Sequence, residues 1–317
     1  MFKGRAHLKT SGFSGNYAHL NKNKYVDLSI LSVFKATVVV GMQRGGSIAA
    51  NWKPFIHKLG MGLSATAFLE IDNQNLILSP EFKDLDGTEK GVVSYWYGMA
   101  FAKLIVDAEL KVPWLEHVDE KWKSGKLILS GASKERGDLA GMDRGGGWHV
   151  VEAKGRSHSC TSKLVKDAKQ QASNVKMIEN QIPETRSVVA VSLGKQPISI
   201  IFTDPPSNED VEGEIWKVSR EDFFEKYYRN IIEYLKSQEH ERVNLGGKGI
   251  FVCARLFPRE ETRWGRAKIG LLQNIFLNPQ TALHAVEGLP EGDSKIGSDG
   301  IVIFDTVWDS ERDEIIL

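Results

Sequence analysis

Gly137-Asp138-Leu139-Ala140-Gly141-Met142-Asp143-Arg144-Gly145-Gly146-Gly147-Trp148-His149-Val150-Val151-Glu152-Ala153-Lys154 reads as two short strands joined by a glycine turn. Trp148 to Val151 is an aromatic and β-branched run, the composition that packs on a pleated surface. The glycines before it supply the positive φ that a tight hairpin needs. A three-residue loop, Arg144 to Gly146, centres the hairpin on Gly145 and sets Asp138 opposite Glu152. Directly opposed side chains in an antiparallel pair have Cβ atoms roughly 5 Å apart. Lys154 lies two residues beyond Glu152 and shares its face. Two carboxylates and one ammonium therefore converge at one end of the ribbon.

This grouping suits a hard divalent cation, magnesium or manganese, which takes oxygen ligands and often only one or two carboxylates. A lysine beside the bound water orients or deprotonates it, or balances charge on a phosphate. The chemistry that follows is metal-assisted phosphodiester hydrolysis. An acid-x-Lys triplet alone means little, because Glu81-Phe82-Lys83, Glu109-Leu110-Lys111, Asp119-Glu120-Lys121, Asp167-Ala168-Lys169 and Asp293-Ser294-Lys295 also fit. Glu152 differs in ending an apolar strand, following a glycine turn, facing an aspartate and preceding an amphipathic helix. The nearest rival is Asp72 with Glu81 and Lys83, where Pro80 interrupts the strand and removes a ladder donor.

The stretch resembles the PD-(D/E)xK phosphodiesterase superfamily, nucleases of the restriction-endonuclease-like fold. Asp138 stands at the family's first acidic position and Glu152-Ala153-Lys154 at its E-x-K, with Gly137 in place of the proline of the name. The resemblance covers roughly Val92 to Phe202 and leaves both ends of the chain unmatched. It implies an α/β fold whose core runs helix, three-stranded meander, helix, strand in a mixed central sheet. It implies that Asp138 and Glu152 bind Mg2+ or Mn2+, and that Lys154 positions the attacking water or steadies the phosphate. Gln171 or Gln170 matches the glutamine that the family often carries on the helix after its E-x-K. The substrate implied is nucleic acid, DNA rather than RNA by family habit, cut by an endonuclease or exonuclease acting in restriction, repair or defence. The alternative is a silent core: a nucleic-acid- or protein-binding subunit that retains the fold without the catalysis.

Composition limits these readings. The 317 residues carry 41 basic and 41 acidic side chains, so any phosphate-binding surface must arise by clustering rather than by net charge. Cys160 and Cys253 give neither a disulfide framework nor a zinc quartet, and are expected as reduced thiols in a cytoplasmic protein. No apolar run reaches the roughly 18 residues of a membrane span. The expected partners are nucleic acid and not membrane, with a protein partner or a second copy of the chain as further candidates. His149 and Glu152 have zinc-like spacing only on a helix; on a strand they face opposite ways, which argues against a metalloprotease.

The chain divides into an N-terminal β-containing region over 1–85, the nuclease-like core over 86–206 and a C-terminal α/β region over 207–317. Residues 1–26 are rich in Gly, Ser, Asn and Lys and read as a loose arm. Ala36 to Val40 reads as a strand, Gln43 to Ser47 as a turn, and Ala65 to Ile71 with Asn75 to Ser79 as a strand pair. Val92 to Leu110 is a helix: Val93, Trp96, Tyr97, Ala100, Leu104 and Ala108 recur at three- and four-residue steps, and Pro113 stops it. Asp107 and Glu109 on it are either extra metal ligands or plain surface carboxylates. Lys126 to Ser130 reads as the strand before the hairpin. Past Lys154, Arg156 is a phosphate contact or a solvated arginine, and His158 a general base or a loop histidine. Ser162 to Ile178 is a helix capped by Ser162, with Leu164, Ala168, Ala172 and Val175 as its buried stripe. Gln171 falls on that stripe, where an amide needs a specific partner, while Lys163, Lys166 and Lys169 lie around it. Ser187 to Leu193 is apolar enough to be a strand buried on both faces, and Ile198 to Phe202 is another strand. In the C-terminal region Arg220 to Gln238 is a helix with an aromatic stripe suited to core packing. Gly249 to Phe257 and Ile301 to Asp305 are strands. Arg263-Trp264-Gly265-Arg266 is a basic and aromatic patch of the kind that grips a single strand.

Overall fold

Lys3–Ser11 alternates cleanly: Ala6, Leu8 and Thr10 are buried while the residues between them face outward, so the segment is a strand, β1. The computed structural model describes residues 3–40, 52–118, 137–204, 214–256, 267–289, 296–305 and 314–316. The chain is mixed α/β and forms two units, Met1–Arg44 with His57–Val218, and Gly45–Ile56 with Ser219–Leu317.

In the first unit β1 is followed by β2 (Asn23–Ser29), α1 (Ile30–Val39), α2 (Lys53–Thr66, of which this unit includes the part from His57), β3 (Leu69–Asp72), β4 (Asn75–Leu78) and α3 (Gly87–Leu110). Then come β5 (Trp114–His117), β6 (Leu139–Met142), β7 (Trp148–Arg156), α4 (Ser162–Ser173), β8 (Val175–Ile178), β9 (Thr185–Ser192), β10 (Ser199–Thr203) and β11 (Glu214–Trp216). Among the described residues nine strands make one sheet in the order β3-β4-β1-β10-β9-β7-β6-β5, with β2 also paired to β1. The sheet is mixed: β1 runs parallel to β10, and β7 parallel to β9, while β5, β6 and β7 form an antiparallel meander. A separate small sheet pairs β8 with β11.

The faces of this sheet decide where side chains go. On β7 and β9, Val151, Ala153, Val189 and Val191 join the core that contains Tyr97, Ala100, Phe101 and Ile105 of α3. The alternate residues Val188 and Ala190 pack against Ala168 and Ala172 of α4. Glu152 is in register with Val188 and Lys154 with Ala190, so both point to the α4 face. Burying each of the valine, isoleucine and phenylalanine side chains stabilises by about 1.5–3 kcal/mol, which makes the sheet a firm base for a polar site.

Several sequence expectations change here. The loose arm expected over 1–26 is, from residue 3 on, β1, a short 3-10 segment (Gly15–Leu20) and the start of β2; Lys, Ser and Asn on the outward strand positions mask the alternation beneath. The strands of 1–85 do not form a region of their own, because β1 pairs with β10 inside the same sheet. The expected strand Ala36 to Val40 is the end of helix α1. Ser29 and Ser32 form a reciprocal cap at its start, and Val33, Ala36 and Val40 pack into the α3 core, which outweighs the β-branched preference. The helix from Ser162 stops at Ser173, its cap is Thr161 rather than Ser162, and Val175 belongs to β8. The expected strand Lys126 to Ser130 lies outside the described residues, and the meander's first strand is β5, whose Trp114 and Leu115 are fully buried. Gln43 to Ser47 and Arg263 to Arg266 also lie outside the described residues.

The second unit has α5 (Arg220–Ser237), β12 (His240–Asn244), β13 (Ile250–Arg255), β14 (Ala267–Leu272), α6 (Gln273–Leu277), α7 (Ala282–Ala285), β15 (Ile301–Asp305) and β16 (Glu314–Ile316). Among the described residues its five strands form an antiparallel sheet in the order β15-β14-β13-β12-β16. The α5 aromatics are core residues: Phe223, Phe224, Tyr227 and Tyr228 are buried, and both tyrosine hydroxyls donate to Asp299.

Candidate active site

The β6–β7 ribbon turns over Asp143 to Gly147. The Asp143 amide donates to the Gly147 carbonyl at 3.0 Å, and Gly146 sits at φ +83°, a conformation that favours glycine. Leu139 faces Val151 and Met142 faces Trp148, the register of a three-residue loop. One step beyond Leu139, Asp138 meets Glu152. The Asp138 amide donates to Glu152 Oε2 at 3.0 Å, and Asp138 Oδ2 accepts from the Ala153 amide at 3.3 Å. The Val118 amide, just past β5, donates to the Asp138 carbonyl at 2.9 Å and ties the approach to the sheet. Gly137 leaves room for this approach, since a Cβ there would lie 2.6 Å from Val150 Cγ1.

Glu152 is 1% exposed, and Lys154 Nζ pairs with its Oε1. Burial, and after it the neighbouring Asp138 carboxylate, push the Glu152 acid up to about 8, against the opposing pull of Lys154. An additional cation at the pair would relieve both causes of that rise.

Gln171 lies on α4, which covers the same sheet face, and its Oε1 is buried with no hydrogen-bond partner among the described residues. An orphaned buried carbonyl oxygen requires a donor or a cation. Gln170 is exposed and its amide donates to Asn174 Oδ1 at 3.3 Å, which leaves Gln171 as the candidate of the two. Two carboxylates, with an amide oxygen on the helix that covers the same sheet face, are the hard-oxygen chemistry of magnesium or manganese. Asp138 and Glu152 would hold such an ion. Among the described residues no group of three or more His, Cys, Asp or Glu side chains converges on one point.

The other sequence candidates fall elsewhere. Glu109 is paired with Lys24 of β2 at 2.8 Å, and Asp107 lies 4.0 Å from Lys103. Arg156 and His158 are exposed beyond the end of the hairpin, with His158 Nδ1 3.4 Å from Ser157 Oγ. The rival set is dispersed over the β3–β4 turn and the short 3-10 segment after it, where Asp72, Glu81 and Lys83 are all exposed. Neither Cys160 nor Cys253 forms a disulfide. No helix among the described residues is long and apolar enough to cross a membrane.

A second polar group went unnoticed in the sequence. His149 is fully buried on the face opposite Glu152; its Nδ1 lies 3.0 Å from Thr185 Oγ1 and its Nε2 3.3 Å from Asp143 Oδ2. Tyr17 stands edge-on to the ring, its hydroxyl pushed up to about 12 by burial and then by Glu184, Asp143 and Asp204. Asp143 also accepts from the Gly147 amide at 2.8 Å, so the group locks the turn to β9. An aspartate four residues before a turn-closing glycine was the available signal; its partner on β9 was not visible without the fold. No protein-family model, curated protein or solved structure matches the chain.

Proposed function

We propose that this protein is a metal-dependent nuclease that hydrolyses phosphodiester bonds, with a restriction-endonuclease-like core in its first unit. The observation that carries this reading is the meeting of Asp138 and Glu152 across the ribbon, the latter buried and its acid pushed up, with Lys154 against it. The order α3, β5, β6, β7, α4, β9 supports the fold assignment, as does the parallel pairing of β7 with β9.

A bound Mg2+ or Mn2+ would supply Lewis acidity at the scissile phosphate and lower the pKa of a water. Asp138 and Glu152 hold their oxygens on one face for it. Lys154, once relieved of Glu152, donates to the attacking water or to a phosphate oxygen. Gln171 orients the group from α4. The sheet beneath excludes water from Glu152 and strengthens each electrostatic contact. DNA is the substrate class proposed.

The decisive assay is cleavage of plasmid and single-stranded DNA, with and without magnesium, by wild type and Lys154→Ala. Loss of a positioned proton-transfer or phosphate-holding group is expected to slow cleavage about 10²- to 10⁴-fold. Equal rates in the two proteins would remove Lys154 from the mechanism. The ion pair between Lys154 and Glu152 also suits a second reading, a silent core whose ammonium already satisfies the buried acid. Calorimetry separates the two, because a silent core takes up no magnesium that Asp138→Ala abolishes.

A further inference from the structure

We infer that the backbone of α3 at Ser94 and Gly98 is the seat that fixes the end of β7, and that Gly98 and Gly155 are positioning residues for Lys154. This inference rests on the proposed role of Lys154 in phosphodiester hydrolysis.

The observation is a backbone-to-backbone approach that admits no side chain. A Cβ on Gly155 would lie 1.8 Å from the Ser94 carbonyl oxygen and 2.9 Å from the Gly98 nitrogen. A Cβ on Gly98 would lie 2.6 Å from the Gly155 nitrogen and 2.9 Å from the carbonyl carbon of Lys154. Neither glycine has a positive φ, so each is needed for room and not for an unusual backbone conformation. Backbone atoms cannot swing aside as a flexible side chain can, so any added carbon must push the strand away from the helix.

The place of the contact gives it consequence. Ladder pairing of β6 with β7 ends at Leu139 and Val151, so Lys154 lies beyond the last β6 partner. On its other side β7 is still paired to β9, through Lys154 with Ala190 and Gly155 with Val191. Among the described residues this end of β7 has one sheet neighbour, about which it is free to tilt, and α3 removes this freedom. The helix is itself fixed, with Asp86 capping its start and Tyr97, Ala100 and Phe101 fully buried. Lys154 is a long, partly exposed side chain whose direction follows from the peptide that carries it. Its carbonyl carbon is among the atoms nearest to Gly98, so the seat sets the root of the lysine while Glu152 receives its tip.

The test uses the full chain labelled with 13Cε-lysine, the Lys154 signal being assigned by its loss in Lys154→Arg. In Gly155→Ala and Gly98→Ala the Lys154 signal is expected to move to the position of solvated lysines. The magnesium-dependent kcat of Gly155→Ala is expected to fall about 100-fold, as for a misplacement near 1 Å, with KM and magnesium affinity close to wild type. Gly4→Ala is the control: its Cβ would also meet backbone, at 3.0 Å from Leu76, but far from β7, and it should leave the Lys154 signal and kcat unchanged. An unmoved Lys154 signal in folded Gly155→Ala overturns the inference, as does an equal movement in Gly4→Ala. If Gly155→Ala does not fold, the milder Gly98→Ala decides by the same signal. Should the wild type cut no nucleic acid, the nuclease reading falls, while the Lys154 signal still decides the seat.

Discussion

At Glu152 opposing influences meet on one carboxyl. Burial and Asp138 favour the neutral form, Lys154 the charged form, and the balance raises the acid from its ordinary 4.5 to about 8. Between those values the folded chain holds a proton that the unfolded chain releases. The stability contributed by this group is therefore complete below about 4.5 and is lost as pH rises through about 8. Asp204, raised to about 6 by burial, titrates in the same direction but at lower pH. Metal-free protein should consequently lose stability from pH 6 to 8, and Glu152→Gln should flatten that slope. Urea unfolding at several pH values measures it, and parallel slopes in the two proteins would refute the assignment. A metal must displace the same proton, so magnesium affinity should rise by up to about tenfold per pH unit below 8. Calorimetry in two buffers of different ionisation heat should show proton release.

The hairpin is the element that brings distant residues into one site, and its turn is held by Asp143. That carboxylate accepts from Gly147 and faces the buried His149, which in turn reaches Thr185 on β9. Asp143→Ala should cost about 1–3 kcal/mol, because it leaves a buried ring nitrogen without its partner. It should also weaken magnesium binding, since the turn sets the register of Asp138 with Glu152. A thermal melt and a magnesium titration check the two effects; a lower Tm with unchanged affinity would show that the register survives without the clamp. Helix α4 depends on Thr161, whose hydroxyl accepts from the Leu164 amide at 3.2 Å. Thr161→Ala should cost about 1 kcal/mol, read as a fall of a few degrees in Tm. The turn was legible because glycines and an aspartate mark it locally. The end of α4 was not, because Val175 continues the helical stripe by coincidence of spacing while its backbone pairs with Glu214 in β11.

For the molecule as a whole, the sheet of the first unit is threaded by its earliest residues. β1 lies between β4 and β10, with Ala6 and Leu8 fully buried. Deletion of residues 1–29 should therefore abolish folding of this unit, whereas a loose arm would be dispensable. Soluble yield and circular dichroism of the truncated chain decide it; a folded, soluble product would show that β1 is an accessory strand. The parallel pairing of β1 with β10 joins residues nearly two hundred positions apart, His7 with Ser199 among them. No local pattern reveals a partner at that distance, and the closure of such contacts is a property of topology.

The amino-acid sequence by itself determined what is local: a helix expected over Val92 to Leu110, which in fact starts at Gly87, a buried strand expected over Ser187 to Leu193, which runs Thr185–Ser192, and a glycine turn whose length sets Asp138 against Glu152. These follow from side-chain period and turn chemistry, which act over a few residues. Tertiary structure alone decided that 36–40 is helical, that the first described residues are sheet, that the Gln171 oxygen is left without a partner among the described residues, and that α3 rests on Gly155. Each of these depends on which surface packs against which, and burial against a distant partner outweighs the small preferences that a short segment can express.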